Sequence, residues 1–421
     1  MRKKLLILAG AGLHTELVLT AKRMGIETYV TDCLPLDKAP AKAVADHAWY
    51  LDITETDAIV ERCREEKIDG VINMYYNPCQ LPYQEICERL GLPCFATKEQ
   101  HQIFTDKRLF LKACAENGVD IIPQYSVEDF ASDNPNVEYP VYVKPSDSRG
   151  SRGQSICHSY GEVKAAILRA KSESTNGEVL IEKYMGHAQD ITMCYFMVDG
   201  ELRMEYIVDK YNANPEDGFP GSVLCGAAPS VNARVITENS RPQVERMLKN
   251  LGFINAPVFV QGFVDGEKFR VYDPALRLPA GLYDLALRDI TGFDLFRAMI
   301  EFALNGKFPA YMHDIEKTIP LNGNHYVSMW VFLRPGTISE IHGLDKLRSR
   351  EHVFSVMPKY KEGDKIEEWR DIRQSFCEVV IFCEDIKELR GAIRGMYSDL
   401  EILDENGKDM KTAFFDPDIL R

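Results

Sequence analysis

The run Tyr142-Val143-Lys144-Pro145-Ser146-Asp147-Ser148-Arg149-Gly150-Ser151-Arg152-Gly153-Gln154-Ser155 carries an apolar strand into a lysine and then into a loop of Gly, Ser and Arg. Small residues let backbone N–H groups approach phosphoryl oxygens, and a lysine at a strand end neutralises their charge. The same composition also suits a plain surface hairpin. Further on, Val179-Leu180-Ile181-Glu182-Lys183-Tyr184-Met185-Gly186 precedes Asp190 at the start of another apolar run. Backbone groups after Glu182 could pair with an adenine edge, Tyr184 and Met185 could pack on its ring, and a carboxylate could reach a ribose. A strand end with a solvated Glu-Lys pair is the bland reading of that segment.

These residues need elements to hold them. Leu5–Leu8, Thr28–Val30 and Val71–Met74 read as strands separated by amphipathic segments at Glu16–Arg23 and Asp57–Glu66, the rhythm of a parallel sheet. Gly10-Ala11-Gly12 follows the first strand and Asp32 closes the second, but Thr15 stands where a dinucleotide fingerprint needs its third glycine. A tight strand-to-helix turn, or a sheet edge facing phosphate or substrate, explains both glycines equally well, leaving Asp32 as a substrate contact at most. This rhythm ends near Leu92–Thr97, and a helix is expected from Lys98 with Asp106-Lys107 in its body. A β-rich stretch follows, in which Phe259–Val264, Asp265-Gly266 and Phe269–Tyr272 form a hairpin signature. Helix is expected over Phe293–Asn305, and beyond Pro309 come short strands punctuated by Pro335-Gly336 and Asn406-Gly407. The glycine- and proline-bearing segment Lys210–Ser230 reads as a lid or an ordinary surface loop.

At 421 residues the chain exceeds one ordinary core, since domains run to about 100–200 residues. Three units are expected: 1–98, 99–312 and 313–421. A net charge of -14 excludes a general nucleic-acid binder. No apolar run approaches the roughly 18 residues of a membrane span, so a cytoplasmic protein is expected. The eleven cysteines contain no C-x-x-C pair, and the nine histidines form no evident cluster. Cys157 and Cys194 sit in apolar runs and read as small buried hydrophobes.

Taken in order, Asp106-Lys107 before a helix, Lys144 in the Gly-rich segment, Glu182-Lys183-Tyr184-Met185, and a hairpin ending in Asp273 and Arg277 resemble the ATP-grasp superfamily. The resemblance extends over most of the chain and includes biotin carboxylase, carbamoyl phosphate synthetase and the L-amino acid ligases. It implies an α/β fold, α+β in the clamp: a Rossmann-like domain, an ATP-grasp domain and a small β-rich domain completing the cleft. Lys107, Lys144 and Ser151 are then implied as phosphate contacts, Glu182, Lys183, Tyr184 and Met185 as the adenine hinge, and Asp190 as the ribose acid. Gln261 and Asp273 are implied as ligands of Mg2+, with Mn2+ as substitute, and Arg277 with Lys144 as catalytic. Ala275 departs from the family's asparagine: a water or ATP oxygen fills the gap, a single metal binds tightly, or the site has drifted from catalysis.

The implied reaction joins a small carboxylate to an amine through an acyl phosphate, releasing ADP and phosphate. The rival readings are activation of bicarbonate or formate, a non-catalytic ATP-binding protein, and a nicotinamide-dependent oxidoreductase. The resemblance also points to a homodimer. His342 reads as structural, with substrate contact as the alternative, while Arg203, Arg288 and Asp289 are candidate carboxylate partners by charge.

Overall fold

The computed structural model describes residues 2–132, 136–146, 153–174, 176–214, 217–219, 221–281, 283–315 and 323–421, with Glu205 described by its backbone only. Ser151 and the rest of the loop 147–152 lie outside the described residues, as do Pro215 and Pro220 of the expected lid. Among the described residues no helix is long and apolar enough to cross a membrane.

Strands β1 (Lys4–Leu8), β2 (Glu27–Thr31), β3 (His47–Trp49) and β4 (Gly70–Ile72) form a parallel sheet in the order β3-β2-β1-β4. Leu5 to Leu8 are wholly buried, the unbroken apolar run of a strand covered on both faces. The late helix Leu295–Asn305 returns to this sheet, so close that a Cβ on Gly70 would stand 2.5 Å from the Ala303 carbonyl oxygen. One core therefore joins Leu5–Leu8, Met193–Val198 and Phe296, even though the expected division at residue 98 separates the first of these from the others.

A second sheet, ordered β5-β8-β6-β7, comprises β5 (Gln124–Tyr125), β6 (Val141–Pro145), β7 (Ser155–Cys157) and β8 (Val179–Lys183). It has its own small core of Val141, Val143, Val163, Ala166 and Ile181.

The third sheet has nine strands. These are β9 (Gln189–Val198), β10 (Glu201–Asn212), β11 (Val223–Ala228), β12 (Ala256–Asp265), β13 (Lys268–Ala275), β14 (His325–Leu333), β16 (Val353–Pro358), β18 (Ser375–Cys383) and β20 (Lys411–Thr412). Their order is β13-β12-β9-β10-β11-β14-β18-β16, with β20 beside β14. The remaining strands, β15 (Gly336–His342), β17 (Lys365–Ile366) and β19 (Glu401–Asp404), form a small sheet ordered β17-β15-β19. The β11–β14 pairing carries the large sheet across the expected division at 312.

Register places chemistry on one face of this sheet. Asp273 stands opposite Gln261, Gln261 opposite Thr192, and Thr192 opposite Val208. Two residues along β10, Lys210 stands opposite Gly226, which faces Ser328. Directly opposed residues share a face, and successive residues alternate.

Two expectations are corrected. Asp106-Lys107 is not in a helix body: Asp106 is extended (φ -105°, ψ 112°), ends the helix Lys98–Thr105 and caps the next by accepting from Arg108 N–H. Lys107 is therefore the first residue of its helix, because the carboxylate competes with the backbone ladder and stops one helix as it starts another. The segment Lys210–Ser230 is not loop throughout, since its ends belong to β10 and β11, paired with each other.

Candidate nucleotide and substrate site

A cavity of about 780 Å³ lies between the small antiparallel sheet and the β9–β13 part of the large one. Alternation on β6 sends Val141 and Val143 into the small core, so Lys144 takes the other face and lines the cavity. It is 4% exposed, and its ammonium lies 2.6 Å from a carboxylate oxygen of Glu182, itself 1% exposed. Tyr142 stands opposite Glu182 in register, and Gln124 donates to the other Glu182 oxygen at 3.2 Å. A buried pair of this kind is a poor source of stability but a well-located charge.

Beyond β8 the chain passes through Tyr184 and Met185, both lining the cavity, with Met185 buried. The amides of Lys183 and Tyr184 donate to the Pro123 and Pro140 carbonyls. Lys183 lines the cavity, while its ammonium pairs with Glu138 at 2.6 Å. Gly186 permits the Tyr184 ring to fold back, since a Cβ there would lie 2.3 Å from the ring.

Asp190 is buried and held by three partners. Lys210 lies 2.8 Å from one of its oxygens, the Tyr272 hydroxyl donates to the same oxygen at 3.0 Å, and Asn212 donates to the other at 3.0 Å. Burial and then the Asp190 and Asp273 charges push the Tyr272 phenol well above its usual range. The Lys144 and Lys210 ammoniums stand 5.7 and 5.5 Å from the Tyr272 ring centroid, so two buried cations flank one aromatic ring. Reading the sequence placed Lys210 at the edge of a lid and passed over Tyr272. The alternation of Tyr206, Val208 and Lys210 along a long strand is the signal that would have found the lysine.

Lys107, from its helix start, reaches Asp273 at 3.2 Å. Gln261 and Asp273 sit side by side on the hairpin, with Gln261 donating to Thr192 at 3.4 Å. An amide and a carboxylate oxygen are hard donors that suit Mg2+, whose coordination is ordinarily completed by phosphate oxygens and water. The two residues thus fit that ion as a partial set. Among the described residues no group of three or more His, Cys, Asp or Glu could hold a metal. Ala275 is fully buried and offers no oxygen.

A second cavity of about 710 Å³ adjoins the first, sharing Asn77, Lys210, Gly221, Val223, Gln261 and Asp273. Arg277 lines only the second. Its guanidinium donates to Asn77, to the Leu278 carbonyl at 2.7 Å, and lies 4.7 Å from the Phe259 ring centroid. Burial lowers its pKa to about 10 against the opposing pull of Asp273. Ala11 and Gly12 also line this cavity, so the first glycine turn faces a substrate-sized space. Gly10 is needed there by close approach, since its Cβ would sit 2.9 Å from that of Ala39.

Several sequence candidates lie elsewhere. Asp32 accepts from Gly10 and Leu34 N–H and serves the turn itself. Arg288 is tied to Glu16 and Asp289, and neither Arg288, Asp289 nor Arg203 lines either cavity. His342 pairs with Glu340 at 2.8 Å on exposed β15, outside both cavities. Cys157 and Cys194 are buried free thiols.

Residues 106–210 match the family model "Carbamoyl-phosphate synthase L chain, ATP binding domain", and residues 5–82 match "PylC-like, N-terminal domain". A formate-dependent phosphoribosylglycinamide formyltransferase of Haloquadratum walsbyi is 28% identical over 195 residues, 45% of this chain and 48% of that protein. The chain thus matches about half the length of that curated relative. The L-amino acid ligase of Bacillus licheniformis superposes with a TM-score of 0.79 at 16% identity, covering 96% of this chain and 99% of that one. The biotin carboxylase domain of Hydrogenobacter thermophilus 2-oxoglutarate carboxylase, solved with MgADP, ADP and bicarbonate, superposes with a TM-score of 0.73 at 18% identity, covering 98% and 92%.

Proposed function

We propose that this chain is an ADP-forming ligase of the ATP-grasp superfamily, which activates a carboxylate as an acyl phosphate and passes it to an amine. The observation that carries this reading is the shared wall: two cavities meet at Asn77, Lys210, Gln261 and Asp273, with the buried Lys144 on one side and Arg277 on the other. The ATP phosphates reach that wall from the first cavity, and a carboxylate meets them from the second.

In this reading the adenine lies against Tyr184 and Met185, while Lys107, Lys144 and Lys210 face the phosphates. Ser151 is assigned to the same phosphate-binding loop by resemblance. Asp190 serves the ribose by exchanging one of its present hydrogen bonds. Gln261 and Asp273 hold Mg2+, or Mn2+ in its place, which when bound neutralises phosphate charge and aligns the transferred group. The substrate carboxylate attacks the γ-phosphorus and ADP leaves. Arg277, desolvated and fixed by Asn77, stabilises the oxyanion as the amine adds to the acyl carbon.

The second cavity is much larger than formate or bicarbonate, which favours a larger acid or a bulky amine partner held beside a small one. The three-part division at 98 and 312, a homodimer and a cytoplasmic setting belong to the same proposal.

The test is phosphate and ADP release from Mg-ATP across carboxylic acids and amines, singly and in pairs, with Lys144→Met as control. Release that requires an acid and an amine together, and disappears in the variant, supports the ligase. Release driven by bicarbonate or formate alone moves the chemistry to those acids, and nucleotide binding without any turnover overturns catalysis.

A further inference from the structure

The second cavity contains a carboxylate that the mechanism above does not use. Glu378 of β18 lines it at 4% exposure and accepts from the Ser328 hydroxyl at 2.7 Å. Among the described residues that hydroxyl is its one hydrogen-bond donor. Trp330 stands opposite Glu378 on β14, and Met357 opposite it on β16. With one hydroxyl as its hydrogen-bond partner, the carboxylate keeps lone pairs free for donors on the cavity's occupant.

One cation stands near Glu378: Lys359 lines the same cavity and its charge favours the carboxylate, but its ammonium donates to the buried Ser375 hydroxyl rather than to Glu378. Asp284, Tyr75 and Tyr326 also feel the Glu378 charge, and none of the three is cationic. Cys377, next in the chain, is buried. Asp371 on the cavity wall is already paired with Arg373.

The rest of the lining restricts the occupant further. Phe259, Tyr206, Tyr283, Tyr326 and Trp330 supply aromatic walls, with Tyr206 and Tyr283 stacked at 4.1 Å. Such walls accept flat apolar bodies and the faces of cations. Arg277 follows β13 and Glu378 lies on β18, toward opposite ends of the sheet order, so one cavity offers a cationic wall and an anionic one.

We propose that Glu378 docks the second substrate, a primary ammonium on an aromatic or apolar body, and accepts a proton from it, with Ser328 positioning the carboxylate. This rests on the ligase reading. The ammonium gives one proton to Glu378, and the freed nitrogen lone pair forms a C–N bond to the acyl carbon. The C–O bond to phosphate then breaks, and the departing phosphate keeps that electron pair and takes the second nitrogen proton. Burial makes the Glu378 carboxyl harder to ionise than usual, and its carboxylate correspondingly more basic.

Phenethylamine and 2-phenylethanol, titrated calorimetrically into the full chain and its Glu378→Gln variant, separate charge from shape. The wild type is expected to prefer the amine by about tenfold or more, as a charge-assisted contact gives. Glu378→Gln should erase that preference without changing the alcohol, and Ser328→Ala should weaken it. Equal affinities in the wild type, or a preference surviving in Glu378→Gln, would overturn the proposal. A second arm supplies Mg-ATP, the twenty L-amino acids and hydroxylamine, which traps acyl phosphate without needing a base. Hydroxamate formation should persist in Glu378→Gln while ligation of cationic amines collapses, and loss of both together would show a structural role only. An amine preference without any wild-type hydroxamate keeps the docking site and sinks the ligase reading.

Discussion

Asp284 shows how a buried ionisable group can make stability depend on pH. It is fully buried, accepts the Tyr75 hydroxyl on one oxygen and leaves the other without a partner. Burial, reinforced by Glu378, raises its pKa from 3.8 to about 6. The folded state therefore holds a proton that the unfolded state releases, so this contribution is complete below 3.8 and is lost as pH rises through about 6. Asp284→Asn should gain up to about 3 kcal/mol over the wild type near neutrality and lose its advantage at pH 4. Urea unfolding across that range checks it, and a wild-type slope retained in the variant would refute it. At this scale the sequence was legible where neighbouring residues mark a position: Lys144 precedes a Gly- and Ser-rich run, Glu182 opens Glu-Lys-Tyr-Met, and the two meet within one cavity. Lys210, Tyr272 and Glu378 were not legible, because a strand lysine, tyrosine or glutamate looks like any solvated residue until register shows which face it takes.

Among the elements, the β12–β13 hairpin does the most with the least chain. Its turn was legible from Asp265-Gly266, although Asp265 pairs with Lys268 and the loop is Gly266–Glu267, with Gly266 at φ 62°. The Asp106 break was not legible, since an amphipathic pattern runs through it. The register shift between Gln261 and Gly262 depends on Gly262, where a Cβ would lie 2.6 Å from the Arg270 carbonyl oxygen and 2.7 Å from the Phe269 ring. Gly262→Ala should cost about 1–3 kcal/mol. By moving Gln261 against Asp273 it should also weaken Mg-dependent nucleotide binding more than metal-free binding. Thermal unfolding and titration with and without Mg2+ separate the two effects, and equal weakening would show that register is not what this glycine protects.

Over the whole molecule, three cores divide the labour. The largest ties the parallel sheet to the β9–β13 region and the late helices, another lies beneath β14–β18, and the small antiparallel sheet keeps a core of its own. A layer with so small a core opens at lower cost than the rest. Amide exchange in Val141–Pro145 and Val179–Lys183 should therefore be faster than in β9, and Mg-ATP should slow it selectively. Uniform protection by nucleotide would argue against an independently opening layer. This division was only partly legible: alternating strands and helices announced the parallel sheet, but no local pattern announces that β11 pairs with β14, because those strands are far apart in the chain and no turn joins them. Trp330 stands on the floor of the second cavity, half-buried, while Trp49 is sealed in the first sheet and Trp369 sits under Arg373. The chain thus carries an indole in the wall of the second cavity, and occupancy there should change ultraviolet emission in a way that Trp330→Phe abolishes, giving a label-free optical readout of binding.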